Sequence, residues 1–254
     1  MQRLRPLIFI CLAAYVVLAL LMPAESIAQG LPKISVEVSE SEDPQDLSVT
    51  LQIILLLTVL TLAPSIVMML TSFTRIVIVL SFVRQAIGTN QMPPAQLIVG
   101  LALILTIFVM APVISQVHKE AIKPYLDGEI TQEQTYEKSV KPIRDFMLKQ
   151  TREKDIALFV KFAGIERPEK VEDLPIWVII PGFIISELRI AFQIAFVVFI
   201  PFLVIDMVVA SVLMSMGMMM LPPIMVALPF KILLFVLVDG WYLIVHSLIS
   251  SFYQ

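Results

Sequence analysis

The 254-residue chain contains few side chains with the chemistry that catalysis requires. Its two histidines, His118 and His246, lie far apart, and its single cysteine, Cys11, lies in an apolar run near the N-terminus. A disulfide framework and a cysteine-based zinc site are therefore excluded, and no metal or cofactor site is predicted. The motifs of metalloproteases, serine hydrolases and nucleotide-binding proteins do not occur in the sequence. We predict that the chain is not an enzyme.

Three carboxylates lie in the apolar last third of the chain, where acidic side chains are costly. They belong to Glu187, Asp206 and Asp239. A charge at the centre of a membrane helix costs about 2.5–3.5 kcal/mol on insertion scales, so each carboxylate must be paired, face water or be buried against protein. An ion- or proton-coupled transporter that uses these three residues as a relay is one functional class that the sequence leaves open. An intramembrane hydrolase has less support, because no convincing nucleophile or carboxylate pair is present.

Methionine is concentrated in the same region. Gly217 and the pair Pro222-Pro223 are poor helix formers, so they predict a turn or loop within the cluster. The flexible thioether adapts to irregular surroundings, which suits a deformable seal around something that moves. Gap-filling in a helix core is the alternative, and it would be favoured for scattered methionines. Seven of the 14 methionines lie between residues 207 and 225: Met207, Met214, Met216, Met218, Met219, Met220 and Met225.

The spacing of two further charges supports this turn. The midpoint between Asp206 and Lys231 falls between Met218 and Met219. An antiparallel helical hairpin with its tip at these methionines would place both charges level, roughly 18 Å from the tip. We predict an ion pair, either within the hairpin or between neighbouring copies. The alternative is that each charge lies at a water boundary without the other.

Glu187 and Arg189 are also predicted to be structural charges. Two residues apart on one helix, they point in nearly opposite directions and cannot pair with each other. Each therefore needs its own partner, which favours a crowded helical assembly. The sequence Asp239-Gly240-Trp241 predicts a helix interruption or an interface position.

Composition places these residues in a membrane protein. Hydrophobic residues make up 58% of the chain and charged residues 15%, with a mean hydropathy of +0.91. Soluble domains are nearer half apolar and a quarter charged. The net charge of -3 gives no general attraction to nucleic acid.

The chain divides into five predicted segments. Residues 1–28 have the order of features of a cleavable signal peptide, with an uncleaved anchor helix as the alternative. Residues 29–48 form a polar, acidic lead. Residues 49–117 form a first apolar helical pair, residues 118–175 a helical extracytoplasmic domain, and residues 176–254 a second apolar helical region with the methionine-rich loop.

Two of these segments carry more detailed predictions. Arg75 and Arg84, with no nearby acid, are expected on a short cytoplasmic connection within the first apolar pair. In the polar segment, Tyr136, Val140, Ile143 and Met147 recur at helical spacing. This stripe is expected to pack on sister helices rather than on a cofactor.

Several motifs resemble the FliP/SctR family of type III secretion export-gate proteins. The likeness spans about residues 50 to 254. Gly182 departs from the alanine that is usual in the family. The acidic lead and the segment from residue 142 to 155 resemble the flagellar branch more than the injectisome branch. The matching motifs are TSFTRIVIVL (71–80), RQA (84–86), PP (93–94), PGFIISELR (181–189), FQI (192–194), IPFLVID (200–206), LPFK (228–231) and VDGW (238–241).

The resemblance implies an all-α subunit of the flagellar export gate in the bacterial inner membrane and flagellar basal body, with a large periplasmic portion. It implies a homo-oligomer with FliQ-type and FliR-type subunits, around a channel for unfolded flagellar subunits. Much of the apolar helix would be buried against protein above the membrane plane. An injectisome export-gate subunit is the nearest alternative. The family's methionine-rich gasket corresponds to Met216, Met218, Met219 and Met220, and with Met214 they form the predicted pore gasket.

Overall fold

The computed structural model describes residues 44–89, 92–165, 174–218 and 221–253. The predicted signal peptide and most of the acidic lead lie outside these ranges. Every regular element within the described ranges is helical, so the fold is all-α.

Nine α-helices and one π-helical turn occur in the described ranges. The π-helical turn, His118–Ile122, joins the third helix to the fourth. The α-helices are α1 (Pro44–Met69), α2 (Phe73–Ile87), α3 (Ala95–Val117), α4 (Lys123–Leu126), α5 (Gln132–Gln150), α6 (Glu153–Phe162), α7 (Ile176–Ser215), α8 (Pro223–Leu237) and α9 (Gly240–Ser250).

The chain forms two units, residues 1–53 and residues 54–254. The described part of the first unit is the beginning of α1. This helix starts at Pro44, so the end of the predicted polar lead is helical. Proline suits a first helical turn, because the backbone N–H groups there have no partner within the helix.

Three helical stretches are long and apolar enough to cross a membrane: Leu51–Met69, Ala95–Leu126 and Ile176–Ser215. The pair α8 and α9, bent by 63°, would make a fourth if it forms one span. The protein is therefore an all-α membrane protein. At 1.5 Å per residue, α7 is roughly 60 Å long, about twice the thickness of a hydrocarbon core.

The larger hydrophobic core surrounds α2. Its buried side chains recur at helical spacing and include Ile76, Val79, Leu80 and Val83. They pack against side chains of α3, α7, α8 and α9. Arg75 and Arg84 therefore lie on a packed helix and not on an exposed connection, while their expected position on the cytoplasmic side stays a prediction. A buried helix occupies this position, because the apolar residues between the two arginines provide a continuous core face.

A smaller core joins the polar segment to α7. Met147 of α5 and Ile156 of α6 pack with Ile179 and Phe183 of α7. The predicted stripe is only partly covered, since Met147 is fully buried while the Tyr136 side chain is 66% exposed. The N-terminus of α5 is stabilised by a capping box between Thr131 and Gln134.

Only some of the prolines in the apolar last third of the chain lie at a helix end. Helix α7 continues through Pro181 and Pro201, whereas Pro222 is the N-cap of α8. A second interruption separates α8 from α9, where Asp239 has a φ of 51° and Gly240 begins α9. A Cβ on Gly240 would lie 2.3 Å from the Phe235 ring, so only glycine permits this close approach.

Candidate functional site

The methionine loop, residues 214–222, comprises the end of α7 and the connection to α8, and it begins with a Schellman motif. Gly217 has a φ of 74°, and its N–H donates to the Met214 carbonyl at 3.0 Å. The N–H of Met218 donates to the Leu213 carbonyl, also at 3.0 Å. These two bonds satisfy carbonyls at the end of α7, so the helix stops within the methionine cluster.

The thioethers of the described loop residues point largely into open space. Met214 is 63% exposed, Met216 56% and Met218 47%, whereas Leu213 on the preceding turn is 6% exposed. Met219 and Met220, the other two residues of the predicted pore gasket, lie outside the described residues. The loop therefore presents methionine outward while leucine anchors it inward.

An apolar groove of about 450 Å³ lies between α7 and α8 next to the loop. Met216 closes the groove at the loop end, and Val204 and Phe230 lie at the other. Its lining side chains are all apolar: Val204, Ile205, Val208, Val209, Val212, Leu213, Met216, Val226 and Phe230.

At the far end of the hairpin, α7 and α8 are joined by Asp206 and Lys231. The Lys231 Nζ donates to Asp206 Oδ2 at 2.6 Å within one chain. The lysine side chain is 5% exposed and that of aspartate 32%, so the pair lies at the edge of the packed region. The other carboxylate oxygen, Oδ1, is buried without a partner among the described residues. The Lys231 ammonium lies 3.7 Å from the position of a Cβ on Gly88, which places it beside the C-terminal end of α2, where a cation is favoured.

A second charged centre, around Arg75, is fully enclosed. Its guanidinium forms a bidentate salt bridge with the Glu187 carboxylate. In this pair Nε donates to Oε2 at 2.9 Å and Nη2 donates to Oε1. Nη1 donates to both the carbonyl and the hydroxyl of Ser251, each at 3.0 Å, and Nη2 also donates to Gln150 Oε1 at 3.0 Å. The Phe252 ring covers the guanidinium, with the Arg75 Cζ 3.9 Å from the ring centroid. All five N–H donors of the arginine are thus satisfied, which is the condition under which a buried charge is tolerated.

This Arg75 centre connects four parts of the chain. Arg75 belongs to α2, Gln150 to the end of α5 and Glu187 to α7, and Ser251 follows α9. The Gln150 amide also donates to the Phe252 carbonyl at 3.1 Å. The C-terminal residues are therefore part of the packed centre.

A polar network lies next to Glu187 on α7 and holds α6 in place. Ser186 Oγ donates to Asp155 Oδ2 at 2.7 Å, and the Arg152 side chain also donates to this carboxylate. Burial opposes ionisation of Asp155, but the Ser186 hydrogen bond and the charges of Arg152 and Arg189 outweigh it. The pKa of the Asp155 carboxyl is consequently lowered.

The remaining predicted charges have separate surroundings. Arg189 is exposed and faces away from Glu187, as the spacing predicted. Glu187 contacts Arg75, Asp206 contacts Lys231, and Asp239 is exposed at the α8–α9 bend. In the described ranges, no group of three or more His, Cys, Asp or Glu side chains could hold a metal ion.

The sequence argument missed Arg75 as the partner of Glu187. A signal was available, because Arg75 is followed by an uninterrupted apolar run, residues 76–80, that is typical of a buried helix. Gln150 and Ser251 gave no such signal, since neither residue type is unusual at a helix end.

Comparisons with a family profile and with known proteins all match the same family. The profile described as the FliP family matches residues 56–248. A flagellar biosynthetic protein FliP of Bacillus subtilis (strain 168) is 58% identical over 217 residues, which cover 85% of this chain and 98% of the relative. The protein of the same name from Pectobacterium carotovorum is 49% identical over 93% of this chain and 92% of its own length. The one from Aquifex aeolicus (strain VF5) is 45% identical over 92% of this chain and 97% of its own length.

Proposed function

The chain belongs to the FliP family of flagellar biosynthetic proteins, and we propose that it forms part of the channel of the flagellar type III export gate. In this role it passes unfolded flagellar subunits across the bacterial inner membrane during flagellum assembly. The relatives carry a flagellar name, which favours this role over that of an injectisome subunit.

The observation that carries the proposal is the methionine loop. It exposes three large thioethers at the tip of a hairpin, beside a groove whose lining is wholly apolar. Soft, flexible side chains in this position can close around an axis and adapt to an irregular passing chain. We therefore assign closure of the channel to Met214, Met216 and Met218, with Met219 and Met220 as the rest of the gasket.

Exposed apolar side chains support assembly with other subunits. They continue around α1, where Leu55, Leu56 and Leu60 are each at least 64% exposed. Helix α7 is too long for one perpendicular crossing, so part of it must tilt or lie outside the hydrocarbon. A homo-oligomer with FliQ-type and FliR-type subunits would cover these faces, and the polar segment would lie on the periplasmic side.

In this mechanism the chain supplies a gate without catalysing a reaction. At rest, thioethers from several copies meet and exclude water. A translocating segment displaces them, and they close again behind it. The energy for transport comes from other components of the export apparatus.

The test replaces Met214, Met216 and Met218 together with alanine in the assembled complex. Leakage of small solutes through cells or proteoliposomes should rise while the complex still assembles. A matched variant with leucine at the same positions keeps apolar volume and should leak less than the alanine variant. Unchanged leakage of the fully assembled alanine variant would contradict the proposed gate.

An ion or proton relay through Glu187, Asp206 and Asp239 is the second candidate function. Glu187 and Asp206 each contact a cationic side chain, which favours structural roles for both. If they are relay groups instead, Asp206→Asn should abolish proton-driven flux while assembly and the free energy of unfolding remain unchanged. Loss of stability together with flux would support the structural assignment.

A further inference from the structure

The last two turns of α2 border a cavity of about 490 Å³ with a polar lining. Ser81, Arg84, Gln85 and Gly88 lie on one face of the helix, and Thr89 follows them. All five lining residues belong to the described part of the chain. Neither α2 nor its neighbour α3 contains an acidic residue. The cavity therefore places a positive charge within an otherwise apolar helix pair.

Arg84 is the charged residue of this cavity. Its side chain is half-buried, and its guanidinium has no hydrogen-bond or ion-pair partner among the described residues. Other arginines of the described ranges differ, because Arg75 and Arg152 pair with carboxylates and Arg144 donates to a backbone carbonyl. Arg189 is exposed and lies near a carboxylate. The five N–H donors of Arg84 are thus available to an acceptor from outside the chain.

Lys231 adds positive potential at the same end of α2. Its ammonium lies 3.7 Å from the position of a Cβ on Gly88, which lines the cavity. The Lys231 charge is balanced by Asp206, so the Arg84 guanidinium remains the uncompensated charge. A cation beside apolar helices attracts an anion more strongly than a cation in bulk water does, because the local dielectric constant is lower.

Two hydroxyl groups of the cavity can accept hydrogen bonds from a ligand. Ser81 Oγ donates to the Val77 carbonyl at 2.6 Å, and Thr89 Oγ1 donates to the Met92 carbonyl. Each hydroxyl has used its one hydrogen, so toward a ligand it acts as an acceptor. The cavity therefore offers the Arg84 donors to an anionic oxygen and the two hydroxyl oxygens to O–H groups.

An apolar surface begins at the same end of the helix pair. Only residues 88–94 separate α2 from α3, and the two helices pack against each other, so the N-terminus of α3 lies at the cavity end. Leu97, Ile104 and Phe108 recur at helical spacing along α3, and each is at least 56% exposed. A molecule with an anionic head and apolar chains matches both features.

We propose that this cavity binds the headgroup of an anionic phospholipid that carries hydroxyl groups, such as phosphatidylglycerol. Arg84 donates to the phosphate, Ser81 and Thr89 accept from the headgroup hydroxyls, and the acyl chains lie along α3. Basic pockets between membrane helices on the cytoplasmic side bind such headgroups, and the positive-inside rule predicts that side for Arg84. The bound lipid holds the end of α2 at the level of the headgroups. This role is independent of the proposed gate.

The first test uses the purified, assembled complex in nanodiscs of phosphatidylcholine with or without added phosphatidylglycerol. Phenylglyoxal modifies free guanidinium groups, and peptide mass spectrometry follows its reaction with Arg84 and Arg189. Phosphatidylglycerol should slow the modification of Arg84 by about fivefold, the factor that corresponds to about 1 kcal/mol per basic residue. The rate at Arg189 should not change. Equal rates at Arg84 in the two membranes would overturn the proposal.

Two further outcomes identify the occupant of the cavity. Inorganic phosphate added to the phosphatidylcholine nanodiscs should not protect Arg84. Protection equal to that by phosphatidylglycerol would indicate a free anion and overturn the lipid assignment. An Arg84 side chain that stays unmodified in both membranes is covered by protein, which would also overturn it.

The second test counts bound lipid in a variant. Arg84→Gln removes the charge and keeps a polar side chain, and native mass spectrometry of the complex from mixed nanodiscs should find about fivefold less retained phosphatidylglycerol. Arg189→Gln is the matched control, because this exposed arginine lies on an apolar helix outside the cavity, and it should retain the native amount. Native retention in Arg84→Gln, or an equal loss in both variants, would contradict a specific site.

Discussion

Two charged centres lie between the apolar helices of this protein, and they differ in how completely they are enclosed. Arg75 and Glu187 are fully buried, and every donor of the guanidinium is satisfied by groups from three other parts of the chain. The Asp206–Lys231 pair joins only α7 and α8, leaves the aspartate 32% exposed and has one carboxylate oxygen without a partner among the described residues.

We expect this difference to decide where the molecule moves. Displacing the Arg75 centre would expose several buried groups at once, so the helices around it should move as one body. The base of the hairpin that carries the methionine loop is held by one ion pair and by the packing of Phe202 and Phe235 in the larger core, whereas its tip has only apolar contacts along the groove. A gate requires this combination of a rigid support and a lightly held tip.

The strongest test of the comparison removes the guanidinium. In Arg75→Met, the Glu187 carboxylate remains buried without its cation, and the free energy of unfolding should fall by about 3–5 kcal/mol. Denaturation of the detergent-solubilised protein by heat or by increasing SDS measures the loss. The double variant Arg75→Met with Glu187→Leu removes the stranded charge and should recover part of it. If Arg75→Met unfolds with the same free energy as the native protein, the Glu187 carboxylate does not depend on a buried cation and the description of this centre is contradicted.

Breaking the hairpin pair should have a smaller effect. Lys231→Met removes the cation, but the chain encloses Asp206 only in part, so we expect a loss of about 1.5–3 kcal/mol. The same denaturation assay applies, and assembly with partner subunits should weaken in parallel. Exchanging the two residues, Asp206→Lys with Lys231→Asp, should restore part of the stability. A loss equal to that of Arg75→Met, or no recovery in the exchange, would remove the distinction between the two centres.

The α8–α9 bend lies between Lys231 and Ser251 in the sequence. One added methyl group at Gly240 would strain it. In Gly240→Ala the new Cβ would meet the Phe235 ring, and the forced repacking should cost about 1–3 kcal/mol. Gly182→Ala is the matched control, because its nearest neighbours would lie at 3.5 Å and the helix favours alanine. Equal melting temperatures for the two variants would contradict the tight packing at Gly240.

The smallest expected effect is a dependence of stability on pH. Because the pKa of Asp155 is lowered in the folded state, its ionised form stabilises the protein above the unfolded pKa of about 3.9. This contribution is lost as the pH falls through the folded-state value. Asp155→Asn should flatten the decline of unfolding free energy in this acidic range. Glu153→Gln, an exposed change in the same helical turn, should leave the decline as it is; an equal effect of both would contradict the assignment.

The sequence alone determined the class of protein and the features that depend on local spacing. Long apolar runs require helices in a membrane protein, and Gly217 with Pro222-Pro223 requires a break within the methionine cluster. The level positions of Asp206 and Lys231 follow from helical rise and the position of the turn between them. Each of these arguments uses residues within one hairpin or one helix.

Only the tertiary structure decided which distant charges meet. Arg75 and Glu187 are 112 residues apart, and their contact depends on how α2 packs against α7. Counting positive charges assigned Arg75 to a cytoplasmic connection, because such a count assumes that an unpaired arginine is exposed. The partner that allows its burial comes from another helix, together with the C-terminal residues and the end of α5. Local periodicity can predict that a buried charge needs a partner, but the partner is selected by the long-range packing of the helices.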